Sequence, residues 1–120
     1  MTAESIPWFV VAICQSPGVL LIALGMPLLL RRVPPNPTYG VRMPGAYASD
    51  IIWYDINARG GRDFVAIGVG YLVLFNLGLV FGRSWSINSR VLGPLAVMFV
   101  AIVVDSLILY FAAERLTQRR

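Results

Sequence analysis

The sequence predicts an all-α integral membrane protein, a single membrane domain over 1–120 with three transmembrane helices and a structured cytoplasmic loop that contains a short interfacial helix. Two observations on composition support this fold class. Hydrophobic residues make up 58% of the chain, whereas charged residues make up only 13%. Soluble domains have about 45–50% apolar residues, glycine included, and about 25% charged residues. The composition is therefore that of a membrane protein.

The third observation is that the charge-free stretches are long enough to cross a bilayer. They cover residues about 6–30, 64–82 and 91–113, and the one charged residue inside them is Asp105. A helix rises about 1.5 Å per residue, so roughly 20 residues cross the hydrocarbon core of about 30 Å. Each stretch is therefore predicted to form one transmembrane helix.

The first stretch has an alternative interpretation as a cleaved signal peptide. It follows Glu4 and not a basic cluster, and its apolar stretch is longer than the 7–15 or so residues of such a signal. Arg31 and Arg32 follow it directly, as expected after a transmembrane helix. We therefore interpret it as a span that is retained.

Residues 31–63, the motif loop, separate the first two spans and carry eight of the sixteen charged residues. Three prolines end the first helix, because proline has no N–H and constrains the residue before it. Further on, Ser49 is a suitable N-cap, and Gly60-Gly61 is a suitable stop, for a short helix over 50–58. Its aromatic and charged residues are suited to the headgroup layer, which predicts an interfacial helix. The three prolines are Pro34, Pro35 and Pro37.

The placement of arginine predicts the orientation. Eight of the ten arginines lie in the motif loop or in the tail after the third span, and only Arg83 and Arg90 lie in the second connection. Basic loops remain on the cytoplasmic side, so we expect the amino terminus outside and both the motif loop and the carboxyl terminus in the cytoplasm. The net charge of +4 is then explained by anionic lipid headgroups, and no nucleic acid is required.

Residue types exclude several kinds of chemistry. The chain has no histidine and a single cysteine, Cys14, in the first span, so the usual ligands of zinc and haem are missing. There is no Ser-His or Cys-His pair and no P-loop. We therefore predict that the protein is not an enzyme and holds no metal or cofactor.

Five spaced residues of the motif loop are candidates for binding a ligand or partner: Asn36, Gly40, Arg42, Trp53 and Asn57. Together with Pro35, Val41 and Pro44, this pattern resembles the signature of the SdpI family. The resemblance covers roughly residues 25–113 and corresponds to the carboxyl-terminal half of the immunity protein for which the family is named. Where family members often have Thr-Pro-Trp-Thr, this chain has Met43-Pro44-Gly45-Ala46.

The resemblance implies a multi-pass protein of the bacterial cytoplasmic (inner) membrane. The named immunity protein protects a sporulating cell from its own secreted peptide toxin. By analogy, the chain is expected to bind or shield against a membrane-active peptide, with a peptide toxin, a cytoplasmic regulator or other membrane subunits as partners besides the lipid bilayer.

Physical chemistry allows two roles for the motif residues. The side chain of Asn36 can bond backbone groups that are left unpaired where the helix breaks. The fork of Arg42 can bind a phosphate, a carboxylate or carbonyl groups, and Trp53 is suited to a membrane interface. The motif residues either fasten the loop to the helices or recognise a ligand, and both alternatives remain open at this point.

Four polar residues are predicted inside the membrane: Gln15, Tyr71, Asn76 and Asp105. An ionised aspartate at the centre of a span costs about 2.5–3.5 kcal/mol, so Asp105 is expected to face the other helices or to be protonated. Its role is either a structural bond or a ligand or proton site. Counting depth along the spans predicts a hydrogen bond between Tyr71 and Asp105. Gln15, beside the kink expected at Pro17, is expected to bond a neighbouring helix.

Two other functions are compatible with the sequence. The small size, the lack of catalytic groups and the glycines of the second span suit a non-catalytic accessory or scaffold subunit of a larger membrane complex, and a homo-oligomer also fits. A small transporter that uses Asp105 is the third possibility. It would have to oligomerise, because three spans cannot enclose a pathway.

Overall fold

The computed structural model describes residues 6–119, and these form three long α-helices and one short 3-10 helix, with no strand among them. Helix α1 is Trp8–Leu29, α2 is Asp50–Phe81 and α3 is Ile87–Gln118, and the 3-10 helix Pro44–Ala48 lies within the motif loop. All three α-helices are long and apolar enough to cross a membrane. The prediction of an all-α protein with three transmembrane helices is confirmed.

Helix α2 is the central element of a molecule that measures 58 × 23 × 19 Å. Both α1 and α3 pack along α2, and they contact each other far less than either contacts α2. The two outer helices therefore leave a groove along one face of α2. The motif loop covers one end of this groove.

Close packing of α1 against α2 depends on glycine. A Cβ atom on Gly61 would lie 2.5 Å from the carbonyl oxygen of Gly25, and one on Gly68 would lie 2.7 Å from the carbonyl oxygen of Gly18. The two backbones are thus in direct contact, as in other membrane helix pairs with small residues at the interface. These contacts also set the antiparallel register, with Gly25 opposite Gly61 and Gly18 opposite Gly68.

The prediction of a separate interfacial helix over 50–58 is wrong. Helix α2 begins at Asp50, as the N-cap Ser49 suggested, and the Ser49 side chain accepts a hydrogen bond from the Ile52 N–H. It then continues without a break through Gly60-Gly61 to Phe81, so the motif loop in the structure comprises residues 31–49, and residues 50–63 are helical. Both glycines are buried, because they pack against neighbouring backbone and side chains and do not terminate a helix. This packing offsets the weak helix propensity of glycine, about 1 kcal/mol per residue relative to alanine.

Helix α1 contains two prolines, Pro17 and Pro27. Proline has no N–H, so Pro17 leaves the carbonyl of Ile13 without its helical donor. The Ser16 hydroxyl donates to that carbonyl over 2.6 Å. In lipid this local bond matters, because no water can satisfy the freed group.

The best-packed part of the molecule is a cluster beneath the motif loop. The loop, the start of α2 and the end of α3 meet there, and Trp53, Ile56 and Ala113 have no exposed surface. Towards the other end of the molecule, many large apolar side chains point outwards, as expected for helices that contact lipid. The cluster consists of Val41, Ala46, Ile52, Trp53, Ile56, Leu109 and Ala113.

Candidate functional site

Asn36 folds the first half of the motif loop. Its Oδ1 atom accepts hydrogen bonds from the N–H groups of Thr38 (2.9 Å) and Tyr39 (2.7 Å). Its Nδ2 atom donates to the carbonyl oxygens of Pro34 (2.8 Å) and Tyr39 (3.0 Å). This is the way in which an asparagine side chain stabilises a turn, here in a proline-rich segment that has few backbone donors.

Asn57 fastens the next part of the loop to α2. Its Oδ1 atom accepts from the Val41 N–H over 2.6 Å, and its Nδ2 atom donates to the carbonyl oxygen of Trp53 over 2.9 Å. Gly40, beside this bond, has a φ of 121°, and a Cβ atom there would lie 2.6 Å from the Asn57 Oδ1 atom. Position 40 therefore requires glycine both for its backbone conformation and for space.

Trp53 joins the second half of the loop to its beginning. Its indole N–H donates to the carbonyl oxygen of Val33 over 2.8 Å, and its ring lies 5.1 Å from that of Tyr47. The Tyr47 hydroxyl in turn donates to the carbonyl oxygen of Asn36 over 2.7 Å. Trp53 is 0% exposed and Asn57 is 2% exposed. These two residues therefore hold the loop in place, and a ligand cannot reach them directly.

Arg42 is the exposed member of the motif. One guanidinium N–H donates to the carbonyl oxygen of Pro37 over 2.6 Å, which holds the side chain over the loop. The residue before it, Val41, is the one that Asn57 fixes. The buried motif residues thus set the position of a cation that remains accessible.

A cavity of about 370 Å³ lies beneath the motif loop, between α1 and α3. The loop contributes polar groups at its rim, including Arg42 and Tyr39, and the three helices contribute mainly apolar walls. The Tyr39 hydroxyl donates to the carbonyl oxygen of Leu24. Burial raises the pKa of Tyr39 above its ordinary value, so the phenol keeps this proton at neutral pH. The cavity is lined by Leu24, Leu28, Thr38, Tyr39, Gly40, Val41, Arg42, Met43, Phe64, Ser106 and Leu109.

The predicted hydrogen bond between Tyr71 and Asp105 is wrong. The Tyr71 hydroxyl donates to the carbonyl oxygen of Cys14 in α1 over 2.6 Å. On its α3 side, Tyr71 shares a groove with Pro94 and Val97, about two turns away from Asp105. The bond therefore crosses to α1, where the Cys14 carbonyl is within reach.

Gln15 and Asn76 form a reciprocal pair between α1 and α2. The Gln15 Nε2 atom donates to the Asn76 Oδ1 atom over 3.0 Å, and the Asn76 Nδ2 atom donates to the Gln15 Oε1 atom over 3.1 Å. Such bonds within a membrane contribute about 0.6 kcal/mol on average. The structure thus brings these two site candidates together, far from the motif loop.

Two polar residues with defined contacts were not among the sequence candidates. Arg90, only 3% exposed, donates from Nε to the carbonyl oxygen of Gly78 (3.3 Å) and from Nη2 to that of Leu79 (3.2 Å). It therefore satisfies carbonyl groups at the end of α2, where a cation is also favoured by the helix dipole.

The second residue is Asp63, which lies beside Asp105 with the two carboxyl groups within hydrogen-bonding distance. Two sequence signals could have found these residues. Arg90 lies shortly after the end of the second apolar stretch, and Asp63 directly precedes the start of that stretch.

Ion pairs near the motif loop are exposed. Arg31 contacts Asp55 over 2.9 Å, and Arg62 contacts Asp63 over 3.1 Å. Exposed pairs of this kind contribute little to stability, about 0–1 kcal/mol. Within residues 6–119, no group of three or more histidine, cysteine, aspartate or glutamate side chains is placed to hold a metal ion.

Comparison with known proteins identifies the family. The model of the SdpI/YfhL protein family matches residues 32–110, which include most of the motif loop, all of α2 and most of α3. A search of the curated proteins and a search of the solved structures each find no match. The family match covers well over half of the 120 residues. The chain belongs to the SdpI/YfhL protein family.

Proposed function

We propose that this protein is a membrane immunity or signalling protein that binds a membrane-active peptide in the cavity beneath the motif loop. The observation that carries this proposal is the amphipathic lining of the cavity. Leu24, Leu28 and Leu109 form apolar walls, and Arg42 supplies a positive charge at the rim. An amphipathic peptide has the matching pair of features, an apolar side and polar or anionic groups.

Access from the lipid supports a ligand that dissolves in the membrane. Helices α1 and α3 flank α2 and contact each other little, so the groove below the cavity faces the bilayer. A peptide can therefore enter sideways without crossing the headgroup layer. Held there, it would be kept from assembling elsewhere in the membrane.

The proposed orientation places the motif loop in the cytoplasm and the amino terminus outside, in a bacterial inner membrane. The motif loop and the end of α3 lie at the same end of the molecule, since the Thr117 hydroxyl donates to the carbonyl oxygen of Gly45 over 3.4 Å. Eight of the ten arginines lie in the motif loop, in the first four turns of α2 or from Arg115 onwards, which favours the cytoplasmic side for this end of the molecule. A cytoplasmic regulator could then sense a filled cavity through the exposed Arg42.

The activity that we propose is binding and not catalysis. The chain has no histidine, and its single cysteine, Cys14, lies in α1, far along the helix from Leu24 and Leu28 of the cavity wall. None of the lining residues pairs a nucleophile with a base. A rigid loop over a lipid-facing cavity serves recognition.

Survival of a peptide-sensitive bacterial host tests the proposal. Expression of the wild type should raise survival against at least one of a panel of membrane-active peptides. Arg42→Ala should remove the charge at the rim, and Ser106→Phe should fill the cavity from α3, so each should lose most of the protection. Arg83→Ala and Val103→Phe are the matched controls, since Arg83 lies in the other connection and Val103 is exposed on α3.

Two results would overturn the proposal. One is a host whose survival is unchanged by the wild type across the whole panel, at membrane levels checked by immunoblot. The other is protection that Arg42→Ala and Ser106→Phe leave as high as their controls do.

A second candidate, an accessory or scaffold subunit of a larger membrane complex, is favoured by a different surface. An apolar groove of about 450 Å³ lies between α2 and α3, and Gly70 and Pro94 are among its lining residues. A Cβ atom on Gly70 would meet no atom within 4 Å, so this small residue is not explained by packing inside the chain. A transmembrane helix of another subunit would fit against it.

Purification in a mild detergent tests this second candidate. A stoichiometric partner should co-purify with the wild type and be lost from Gly70→Leu, whereas Val69→Leu should retain it. A monomer or a homo-oligomer without any other stoichiometric subunit would rule the candidate out.

A further inference from the structure

Asp63 of α2 and Asp105 of α3 form a carboxyl pair between the two helices, in which Asp105 is buried and the Asp63 side chain is 24% exposed. The two side chains are within hydrogen-bonding distance of each other. Asp105 is 9% exposed, and its Oδ2 atom is buried without a hydrogen-bond partner among the described residues. Two ionised carboxylates have no hydrogen between them, so neither can donate to the other.

The helix register places this pair within the length of α1, a helix long and apolar enough to cross a membrane. Gly61 lies opposite Gly25, so Asp63 lies at the level of Ala23, six residues before the end of α1 at Leu29. At about 1.5 Å per residue, this is roughly 9 Å inside the end of α1. An ionised aspartate in the middle of a span costs about 2.5–3.5 kcal/mol, and a second one beside it adds repulsion.

Two arginines of α2 lie near the pair, but only Arg62 is hydrogen-bonded to it among the described residues. Arg59, one turn before Asp63, is exposed and lines a groove with Val104 and Ile108 of α3. Arg62, the residue before Asp63, donates to the Asp63 Oδ1 atom from Nε (3.2 Å) and Nη2 (3.1 Å). Helix α1 contributes no charged residue. The motif loop contributes Tyr39 and Arg42 to the neighbouring cavity, and the Arg42 guanidinium is bonded to the carbonyl oxygen of Pro37. One bonded cation for two carboxyl groups leaves one of the two without a hydrogen-bonded cation.

We propose that Asp63 and Asp105 together form a proton-binding site, in which the two carboxyl groups share one proton at neutral pH. The shared proton gives the unpartnered carboxyl a donor and forms an O–H···O⁻ bond between α2 and α3. Such bonds, in which the acceptor is ionised, are among the shortest and strongest in proteins. This site lies apart from Arg42, and its proton does not depend on a peptide ligand.

Loss of the proton is coupled to the cavity beneath the motif loop. Phe64 follows Asp63 and Ser106 follows Asp105, and both line that cavity. Two ionised carboxylates would repel each other and push α3 away from α2, which moves the cavity walls apart. The proton thus determines the distance between the α2 and α3 walls of the cavity, while the motif loop covers its end.

Infrared difference spectroscopy on the protein in lipid vesicles tests the site. With aspartate labelled by ¹³C at its side-chain carboxyl, the wild type at about pH 7 should show the C=O band of one protonated aspartate, which disappears as the pH is raised. Asp105→Asn should lose this band at about pH 7, because the pair of carboxyl groups that shares the proton is then broken. Asp55→Asn, whose partner is the exposed Arg31, is the matched control and should retain the band.

If Asp105→Asn fails to fold, the infrared spectrum of the wild type is sufficient to test the proposal. Absence of a protonated aspartate band at about pH 7 overturns the proposal. A band that persists in folded Asp105→Asn overturns it as well. The spectra are recorded in sodium, potassium and choline buffers, and a band that appears only in choline would show that the site holds a metal cation instead of a proton.

Discussion

The Oδ1 atom of Asn57 lies 2.6 Å from the amide nitrogen of Val41, so one side chain of α2 fastens the motif loop to the transmembrane helices. Both groups are buried. A buried amide that loses its partner costs about 1–3 kcal/mol, and this bond joins residues that are 16 positions apart. The loop above the cavity therefore depends on a buried side chain that does not line the cavity.

Asn57→Ala is expected to destabilise the protein by about 2 kcal/mol, because it leaves the buried Val41 N–H without an acceptor. Thermal unfolding in detergent measures the loss. Asn88→Ala, at an exposed position in the first turn of α3, is the control and should change stability by less than about 0.5 kcal/mol. Equal unfolding temperatures for the two variants would contradict the role assigned to Asn57.

Gly61→Ala is expected to weaken the contact between α1 and α2. The added methyl group would lie 2.5 Å from the Gly25 carbonyl oxygen and equally close to the Leu29 nitrogen, so the backbones must separate. Overpacking of this kind costs about 1–3 kcal/mol. The control is Gly70→Ala, where the new methyl group meets no atom within 4 Å and alanine favours the helix. Unfolding in mixed micelles should show a lower stability for Gly61→Ala and no loss for Gly70→Ala. Similar losses of stability in both variants would contradict the contact between Gly61 and Gly25.

Arg90→Met is expected to loosen the other end of the molecule. It removes the hydrogen bonds from the guanidinium to the carbonyl oxygens of Gly78 and Leu79 while retaining an apolar stem. Hydrogen bonds that involve a charged group contribute about 1.5–3 kcal/mol each, so a net loss of about 2 kcal/mol is expected. Arg83→Met, at an exposed position in the same connection, should be close to neutral. Limited proteolysis measures how readily the connection between α2 and α3 is cleaved in each variant. Equal cleavage rates for Arg90→Met and Arg83→Met would contradict the role of Arg90 in holding the end of α2.

Alkaline pH is expected to destabilise the protein through Tyr39. Burial raises the pKa of this phenol above the ordinary 10.0, so the folded state holds the proton to a higher pH than the unfolded chain does. The resulting stability is fully present below about pH 10 and is lost as the pH rises through the folded-state pKa. The unfolding temperature should fall above about pH 10 in the wild type and fall less steeply in Tyr39→Phe. Tyr110→Phe, on an exposed face of α3, should retain the wild-type slope.

Hydropathy was sufficient to predict the three spans, because the cost of burying a charge in lipid leaves few alternatives for such long apolar stretches. It was not sufficient to predict that the helix beginning at Asp50 and the second span form one continuous helix. Gly60-Gly61 has the same residue type as a helix stop, and only the presence of α1 against these glycines shows that they serve packing. A local pattern cannot separate the two uses of glycine.

The motif residues were recognisable from the sequence, but the sequence did not show which of them are buried and which is exposed. Asn36, Trp53 and Asn57 are committed to bonds within the chain, whereas Arg42 remains exposed over the cavity. This distinction depends on the way in which the loop folds back onto α2. No spacing rule expresses it.

The partner of Asp105 was missed for a physical reason. A buried acid is expected to pair with a hydrogen-bond donor, and Tyr71 is the donor that the count of residues along the spans places nearest in depth to Asp105. The neighbour in the structure is a second acid, Asp63, which sequence reasoning had placed in the loop. Two like charges become a reasonable pair only when a proton is counted among the contacts.

The lengths of the helices have a consequence at the membrane surface. With Gly25 opposite Gly61, the end of α1 at Leu29 is level with Asn57, and α2 continues for seven more residues to Asp50. Those residues rise about 10 Å, which exceeds the roughly 5–8 Å of the headgroup layer on each side of a bilayer. The first turns of α2 are therefore long enough to carry the motif loop through that layer on a rigid helical stem.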